Sequence, residues 1–262
     1  MDGCLQDDCL SIQGRVAVVI GGTTGIGRAL ALGFAGRGAD VVTAGRRVRE
    51  LNETAAAIEA LGRRTLRQPV DVRSRPSLDC LRDAVVRELG GVDILVNAAG
   101  ATFREPSITV AEEKWSGLLD TNLTGVLRAC QSFYPALVAS GHGRIINIAS
   151  LGSFVAFHEV AAYCAGKAAL LSLTRSLACE WADCGISVNA IAPGVFPTEL
   201  NEHLVSGTAR GKELLMRTPM KRFGKPEELV GVATLLASDA VSFMTGQCIT
   251  VDGGFLASGV NA

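Results

Sequence analysis

The sequence lacks the features that would place it in several common classes. No apolar run approaches the ~18 residues that a membrane-spanning helix requires. The stretch MDGCLQDDCLSIQG at the N-terminus is acidic and has no apolar signal core, so a cytoplasmic location is expected. Long runs of like charge are missing and the formal net charge is −1. That balance recommends neither nucleic acid nor a membrane surface as a partner. The eight cysteines form no CxxC pair and no Cys/His cluster at metal-ligand spacing, so no metal site is expected. They read as small buried hydrophobes in a reducing compartment. No internal repeat or second periodicity is visible.

What is present is a chain of 262 residues, 48% apolar, with 30 glycines in short turn-like groups. That length is about the upper size of one hydrophobic core. Strand-like runs lie at residues 16–20, 41–44, 66–70, 92–96, 144–149, 186–191 and 247–251. Helical patterns lie at 26–35, 48–61, 78–89, 115–138, 161–182 and 227–237. Short apolar runs without alternation suit strands buried on both faces, and their alternation with helices indicates parallel βαβ units. The expected fold is a single-domain, doubly wound α/β sheet of the Rossmann type with helices on both faces. It would span residues 14–262, after an N-terminal extension over 1–13 that is a candidate for disorder. Residues 196–226 are polar and punctuated by Gly207, Gly211, Pro219 and Gly224. A segment of that length inside a domain suggests a substrate lid.

The first strand runs into IGGTTGIG, carrying Gly21, Thr23, Thr24, Gly25, Ile26 and Gly27, and then into a helix. Glycines there permit a tight turn and let backbone N–H groups approach a pyrophosphate, which the helix dipole also favours. The GxxxGxG spacing resembles that of the short-chain dehydrogenase/reductase family, with Ile20 where the family usually has threonine. The resemblance continues along the chain. Asp71-Val72 resembles the family's adenine contact, and VNAAG, with Asn97, Ala98 and Gly100, its motif after the fourth strand. Pro193, Gly194, Val195 and Thr198 match its PGxxxT pattern. Asn122 in DTNLTG, Ser150 ending IINIAS, and Tyr163 and Lys167 in YCAGK match its catalytic tetrad.

Tyr163 and Lys167 are four apart on an expected helix and share one face. A free phenol has a pKa of ~10, and a nearby ammonium favours the phenolate and lowers it toward the range that general acid–base catalysis needs. The resemblance implies that Ser150 orients a substrate carbonyl, that Lys167 also holds the nicotinamide ribose, and that Asn122 positions a water in a proton relay. The hydride then passes directly between cofactor and substrate carbon.

At the end of the second strand, NAD-binding sheets usually carry an Asp or Glu that accepts from the adenosine ribose. Here Gly45 takes that place, followed by Arg46, with Arg47 a second cation. A guanidinium can bind a 2′-phosphate bidentately, so NADP(H) is the expected cofactor. If Arg46 only stacks on adenine, NAD(H) serves as well.

The resemblance puts the substrate over Ser150 and Tyr163, bounded by Gly152, Phe154, His158 and Phe196. Phe103 and Phe157 would add apolar wall, with His158 at the rim. The segments NLTGV, NAIAPGVFPTEL and RTPMKRFGKPEEL are similar to those of sugar-acid and polyol dehydrogenases such as gluconate 5-dehydrogenase, and also to those of 3-oxoacyl-carrier-protein reductases. A small carbonyl or alcohol substrate is therefore expected. The second group would want a basic patch at the pocket mouth, where only Arg104, Lys212, Arg217, Lys221 and Arg222 are scattered. A non-catalytic dinucleotide sensor is the reading from another class; such proteins typically lack the tyrosine or lysine that this chain has. Apolar residues on more than one side of the 161–182 helix, together with the resemblance, imply a homotetramer, with a dimer as the other assembly.

Overall fold

The apolar runs of the sequence form a central sheet because their side chains are buried on both faces. The computed structural model describes residues 9–199 and 201–259. In chain order its main elements are β1 (Val16–Ile20), α1 (Gly25–Ala35), β2 (Asp40–Ala44), α2 (Val48–Ala60), α3 (Arg75–Leu89), β3 (Ile94–Asn97), α4 (Glu112–Leu119), α5 (Gly125–Ser140), β4 (Arg144–Ile148), α6 (Ala161–Trp181), β5 (Ser187–Pro193), α7 (Glu202–Val205), α8 (Ala209–Arg217), α9 (Val230–Ala237) and β6 (Cys248–Val251). The six strands pair in the order β2-β1-β3-β4-β5-β6, every pair parallel. One apolar cluster, including Val18, Leu81, Phe133 and Leu170, covers one face of the sheet. A second, including Val19, Leu30, Phe34 and Leu236, covers the other. This is the doubly wound architecture that the alternation of elements anticipates.

The strand order reverses between β1 and β3. In open α/β sheets ligands bind in the crevice at such a switch point, beyond the carboxyl ends of the strands.

Three expectations about elements differ from the structure. Residues 66–70 form no strand; the chain there runs past β2 with only isolated bonds near its ends, Val41 N–H to the Arg64 carbonyl before the segment and Val70 N–H to the carbonyl of Gly45, just after β2. Pro69 has no N–H to donate, and the position is a sheet edge where pairing is easily lost. The long helix expected over 115–138 runs from 112 to 140 as α4 and α5, joined by a π-helical turn at Asp120–Thr124. Within the 1–13 extension, Ile12 is fully buried in the second cluster, so the packed chain begins before residue 14. Residues 1–8 lie outside the described residues.

Candidate active site

Beyond the carboxyl ends of β1, β3 and β4 lies a cleft of ≈ 540 Å³. Its first wall is the turn from β1 into α1. A Cβ on Gly27 would sit 2.1 Å from the Gly21 carbonyl oxygen, and one on Gly21 would sit 2.4 Å from the Ala99 nitrogen. The loop can fold this tightly only with glycine at both places. Thr24, the residue before α1, makes no side-chain capping bond to the helix. The first-turn N–H groups of α1 therefore carry no side-chain acceptor, and Gly25, Ile26 and Gly27 all line the cleft. Uncapped amides at the positive end of a helix are a ready anion site. Thr23, Ala98, Gly100, Val72, Pro193, Gly194 and Thr198 line the same space. The donor set suits a dinucleotide pyrophosphate.

Ser150, Tyr163 and Lys167 converge on the opposite end. Ser150 leaves the end of β4, where its Oγ accepts from the Gly152 N–H at 3.1 Å. Tyr163 lies in the first turn of α6 with its hydroxyl hydrogen-bonded to that of Ser150. One turn later Lys167 is buried, its Nζ donating to the Ile148 carbonyl at 2.6 Å. The Nζ lies 5.9 Å from the centre of the Tyr163 ring.

The electrostatics differ from the expectation in one respect. Burial pushes the Tyr163 phenol up, and only the Ser150 hydrogen bond works against that. The same burial pushes Lys167 down to about 8. Desolvation disfavours both charged forms. Lys167 is not among the groups that lower the phenol, so the lysine does not by itself bring Tyr163 to neutral pH.

Asn122 lies at 0% exposure in the π-helical turn. Its Oδ1 accepts from the Ala101 N–H and its Nδ2 donates to the Ala101 carbonyl, both at 2.8 Å. The extra residue of the turn rotates Asn122 inward, and π-bulges often mark functional sites. A Cβ on Gly100 would approach Asn122 Oδ1 at 3.6 Å and Lys167 Nζ at 4.0 Å. The gap between the two side chains therefore opens at Gly100.

At the nucleotide end, Arg46, Arg47 and Asp71 line the cleft. Asp71 is paired with Arg73 at 2.9 Å, and the Arg73 guanidinium holds its carboxyl below the usual value, with a smaller contribution from Arg46. Arg46 makes no hydrogen bond or ion pair with any described residue, whereas Arg47 is tied to Thr24 and Glu199.

Several sequence candidates fall elsewhere. Asn97 points away from the cleft, its Nδ2 donating to Asn147 Oδ1 at 2.9 Å and to Cys130 Sγ. It ties β3 to β4 because its side chain alternates to the buried face. Val195 lines a neighbouring cavity of ≈ 430 Å³, which Phe196 shares with the main cleft. Gly152 lies behind the cleft, its N–H bonded to Ser150, and a Cβ there would sit 3.5 Å from the Tyr163 ring. Phe154 and His158 are outward-facing, Phe154 being 49% exposed. Phe157 packs against Phe255, and Phe103 lies under Lys114. Sequence reasoning missed Arg73 in the lining, and took the loop containing Glu199 and Asn201 as a wall without singling out either residue. Arg73 could be suspected from its place beside Asp71; nothing local distinguishes Glu199.

Fold and cleft together define the class: a doubly wound α/β protein whose switch-point cleft suits a dinucleotide. Comparison with known proteins makes this specific. A family described as enoyl-(acyl carrier protein) reductase matches residues 21–256. The 2-dehydro-3-deoxy-D-gluconate 5-dehydrogenase of Escherichia coli strain K12 is 41% identical over 248 residues, 94% of this chain and 97% of that protein. An NAD-dependent glycerol dehydrogenase of Listeria innocua is 37% identical, over 95% of this chain and 96% of its own. Among solved structures, a gluconate 5-dehydrogenase from Burkholderia cenocepacia J2315, in complex with NADP and tartrate, superposes with a TM-score of 0.92 at 37% identity, covering 96% of this chain and 99% of that one. The chain belongs to the short-chain dehydrogenase/reductase family and is an oxidoreductase.

Proposed function

We propose that this chain is an NADP(H)-dependent oxidoreductase interconverting a ketone and a secondary alcohol, with a sugar acid or polyol as substrate. The observation that carries the reading is one cleft with Ser150, Tyr163 and Lys167 at one end and an unpaired guanidinium, Arg46, at the other. The cofactor expectation is consistent with a relative crystallised with NADP, although another relative is NAD-dependent. NAD(H) is therefore expected to bind as well, but more weakly.

When bound, the nicotinamide supplies or accepts the hydride. In the reducing direction the Tyr163 hydroxyl gives its proton to the carbonyl oxygen, and Ser150 donates a hydrogen bond to that same oxygen. Tyr163 then regains a proton from the side on which Lys167 and Asn122 flank Gly100. Thr23, Gly25, Ile26 and Gly27 hold the pyrophosphate, and Arg46 holds the 2′-phosphate. Phe196 and the segment 196–226, which contains α7 and α8, close over the substrate; Asn201 anchors its start by accepting from Thr198 N–H and donating to the Phe196 carbonyl.

Sugar-acid and polyol chemistry is favoured over a carrier-bound acyl chain because three of the five basic residues scattered near the mouth are already engaged. Arg104 pairs with Glu159, Arg222 pairs with Glu228, and Lys221 donates to the Met216 carbonyl. A panel of keto-sugar acids, polyols and 3-oxoacyl thioesters, followed by NADPH absorbance, tests this. Reduction of the keto-sugar acids is the expected result. Preference for the thioesters would replace the substrate reading, and NADPH binding without any turnover would indicate a sensor.

We further propose a homotetramer with two-fold symmetry, supported by exposed small residues on α6, Ala165 and Ala168, that suit close helix packing. Light scattering at micromolar concentration checks it: a monomeric mass contradicts the reading. A cytoplasmic location belongs to the same reading; among the described residues no helix is long and apolar enough to cross a membrane.

A further inference from the structure

The nucleotide end of the cleft carries three arginines, Arg46, Arg47 and Arg73. They do not stand equal. Arg73 is committed to Asp71 at 2.9 Å. Arg47 is committed on three sides: its Nη2 donates to Thr24 Oγ1 at 3.0 Å, and its Nη1 lies 3.1 Å from Glu199 Oε2 and 3.4 Å from Glu50 Oε1. Glu50 is a neighbour on α2, three residues on and mostly buried. Glu199 is different: it lies 152 residues away and comes from the other wall of the cleft, next to Thr198. Nothing in the backbone requires that contact.

A guanidinium presents five N–H donors in a planar fork, and each N–H aimed at one acceptor is withheld from another. An acceptor already on a given donor must be displaced before a phosphate can use that donor. The Glu199 side chain is 67% exposed and that of Arg47 51%. Ion pairs of such exposure are weak and yield to a stronger acceptor. They still subtract from whatever affinity that acceptor gains.

We infer that Glu199 is a specificity-determining residue that occupies Arg47 and so restrains the preference for NADP(H) over NAD(H). The 2′-phosphate contact then rests chiefly on Arg46, with Arg47 held in reserve. This rests on the reading of the cleft as a nicotinamide dinucleotide site. Its consequence is directional: removing a carboxylate should strengthen binding of the phosphorylated cofactor alone.

The test is the dissociation constant of NADPH and of NADH, read by the fluorescence of the reduced nicotinamide, for wild type and for Glu199→Gln, Glu199→Ala, Arg47→Gln and Arg47→Gln/Glu199→Gln. The alanine variant removes the amide contact that glutamine could retain. Freeing one charge-assisted contact should tighten NADPH about three- to tenfold in Glu199→Gln and at least as much in Glu199→Ala. NADH affinity should stay within about twofold, because it has no group for the released guanidinium. In the Arg47→Gln background the Glu199 substitution should leave NADPH affinity unchanged. The inference is overturned if NADPH binding is unchanged or weaker, if both cofactors shift together, or if the gain persists without Arg47. Wild type that binds neither cofactor would instead overturn the dinucleotide reading itself, so the two failures are distinguishable.

Discussion

The two ends of the cleft are built differently. At the catalytic end, Asn122 and Lys167 are buried and their polar partners are backbone groups, the Ala101 peptide and the Ile148 carbonyl. At the nucleotide end, Arg46 and Arg47 are exposed, and the partners of Arg47 and Arg73 are side-chain carboxylates and a hydroxyl. A charge in the first environment is desolvated and poorly screened; in the second it meets water and salt within a Debye length of ~10 Å at ordinary ionic strength. The contrast divides the work. Buried groups with backbone partners hold fixed geometry and shifted pKa values, which proton transfer requires. Exposed guanidinium groups trade partners at little cost, which suits choosing between two closely similar cofactors.

Substitutions should respect that division. The largest effect belongs to the buried end: Tyr163→Phe should lower turnover at least about a hundredfold, the usual weight of a general acid, while NADPH affinity holds. A turnover near that of wild type in steady-state assays would break the contrast. Next, Arg46→Ala should weaken NADPH roughly ten- to hundredfold and leave NADH nearly unchanged, as the loss of one charge-assisted contact predicts. Equal losses for both cofactors in a binding titration would show that Arg46 only stacks on adenine. Asn122→Ala comes third. It strips two hydrogen bonds from the part-buried Ala101 peptide, and denaturant unfolding should record a loss of about 1–3 kcal/mol.

A pH trend comes last. Lys167 falls to about 8 in the folded chain by burial, from an ordinary value near 10.5. Between those values the unfolded state binds the proton more readily, so this group makes stability rise with pH across that window. Tyr163 is shifted up by burial and acts in the opposite sense above its ordinary value of 10. The rise should therefore be cleanest from pH 8 to 10. Chemical denaturation across that range should show it in wild type and not in Lys167→Met; identical slopes would contradict the burial of the ammonium.

Much of the frame could be read before any coordinates. Unbroken apolar runs report burial on both faces, so β1, β3 and β4 are visible in the sequence, and GxxxGxG marks the turn where glycine alone fits. Residues 66–70, LRQPV, fall where the alternation with helices calls for a strand, but Pro69 and an edge position remove the pairing that the alternation suggests. Periodicity across 115–138 runs on without a break, because a π-helical turn inserts its extra residue while keeping the helix continuous; the inward rotation of Asn122 is invisible at that level. Asn97 lies in the right motif with its side chain on the far face of β3. Glu199 shows the remaining limit. Its partner is 152 residues distant, and contacts between exposed side chains across a cleft leave no local pattern.

The central claim is that this cleft transfers a hydride between a nicotinamide cofactor and a substrate carbon, with Tyr163 handling the proton. The most direct test uses NADPH carrying deuterium on the transferable position of the nicotinamide, the 5-keto form of gluconate, and mass spectrometry of the product. The account predicts deuterium on the new carbinol carbon with wild type, in step with NADPH consumption, and a rate at least about a hundredfold lower with Tyr163→Phe. Product carrying only solvent hydrogen at that carbon, or labelled product formed equally fast by Tyr163→Phe, would contradict it.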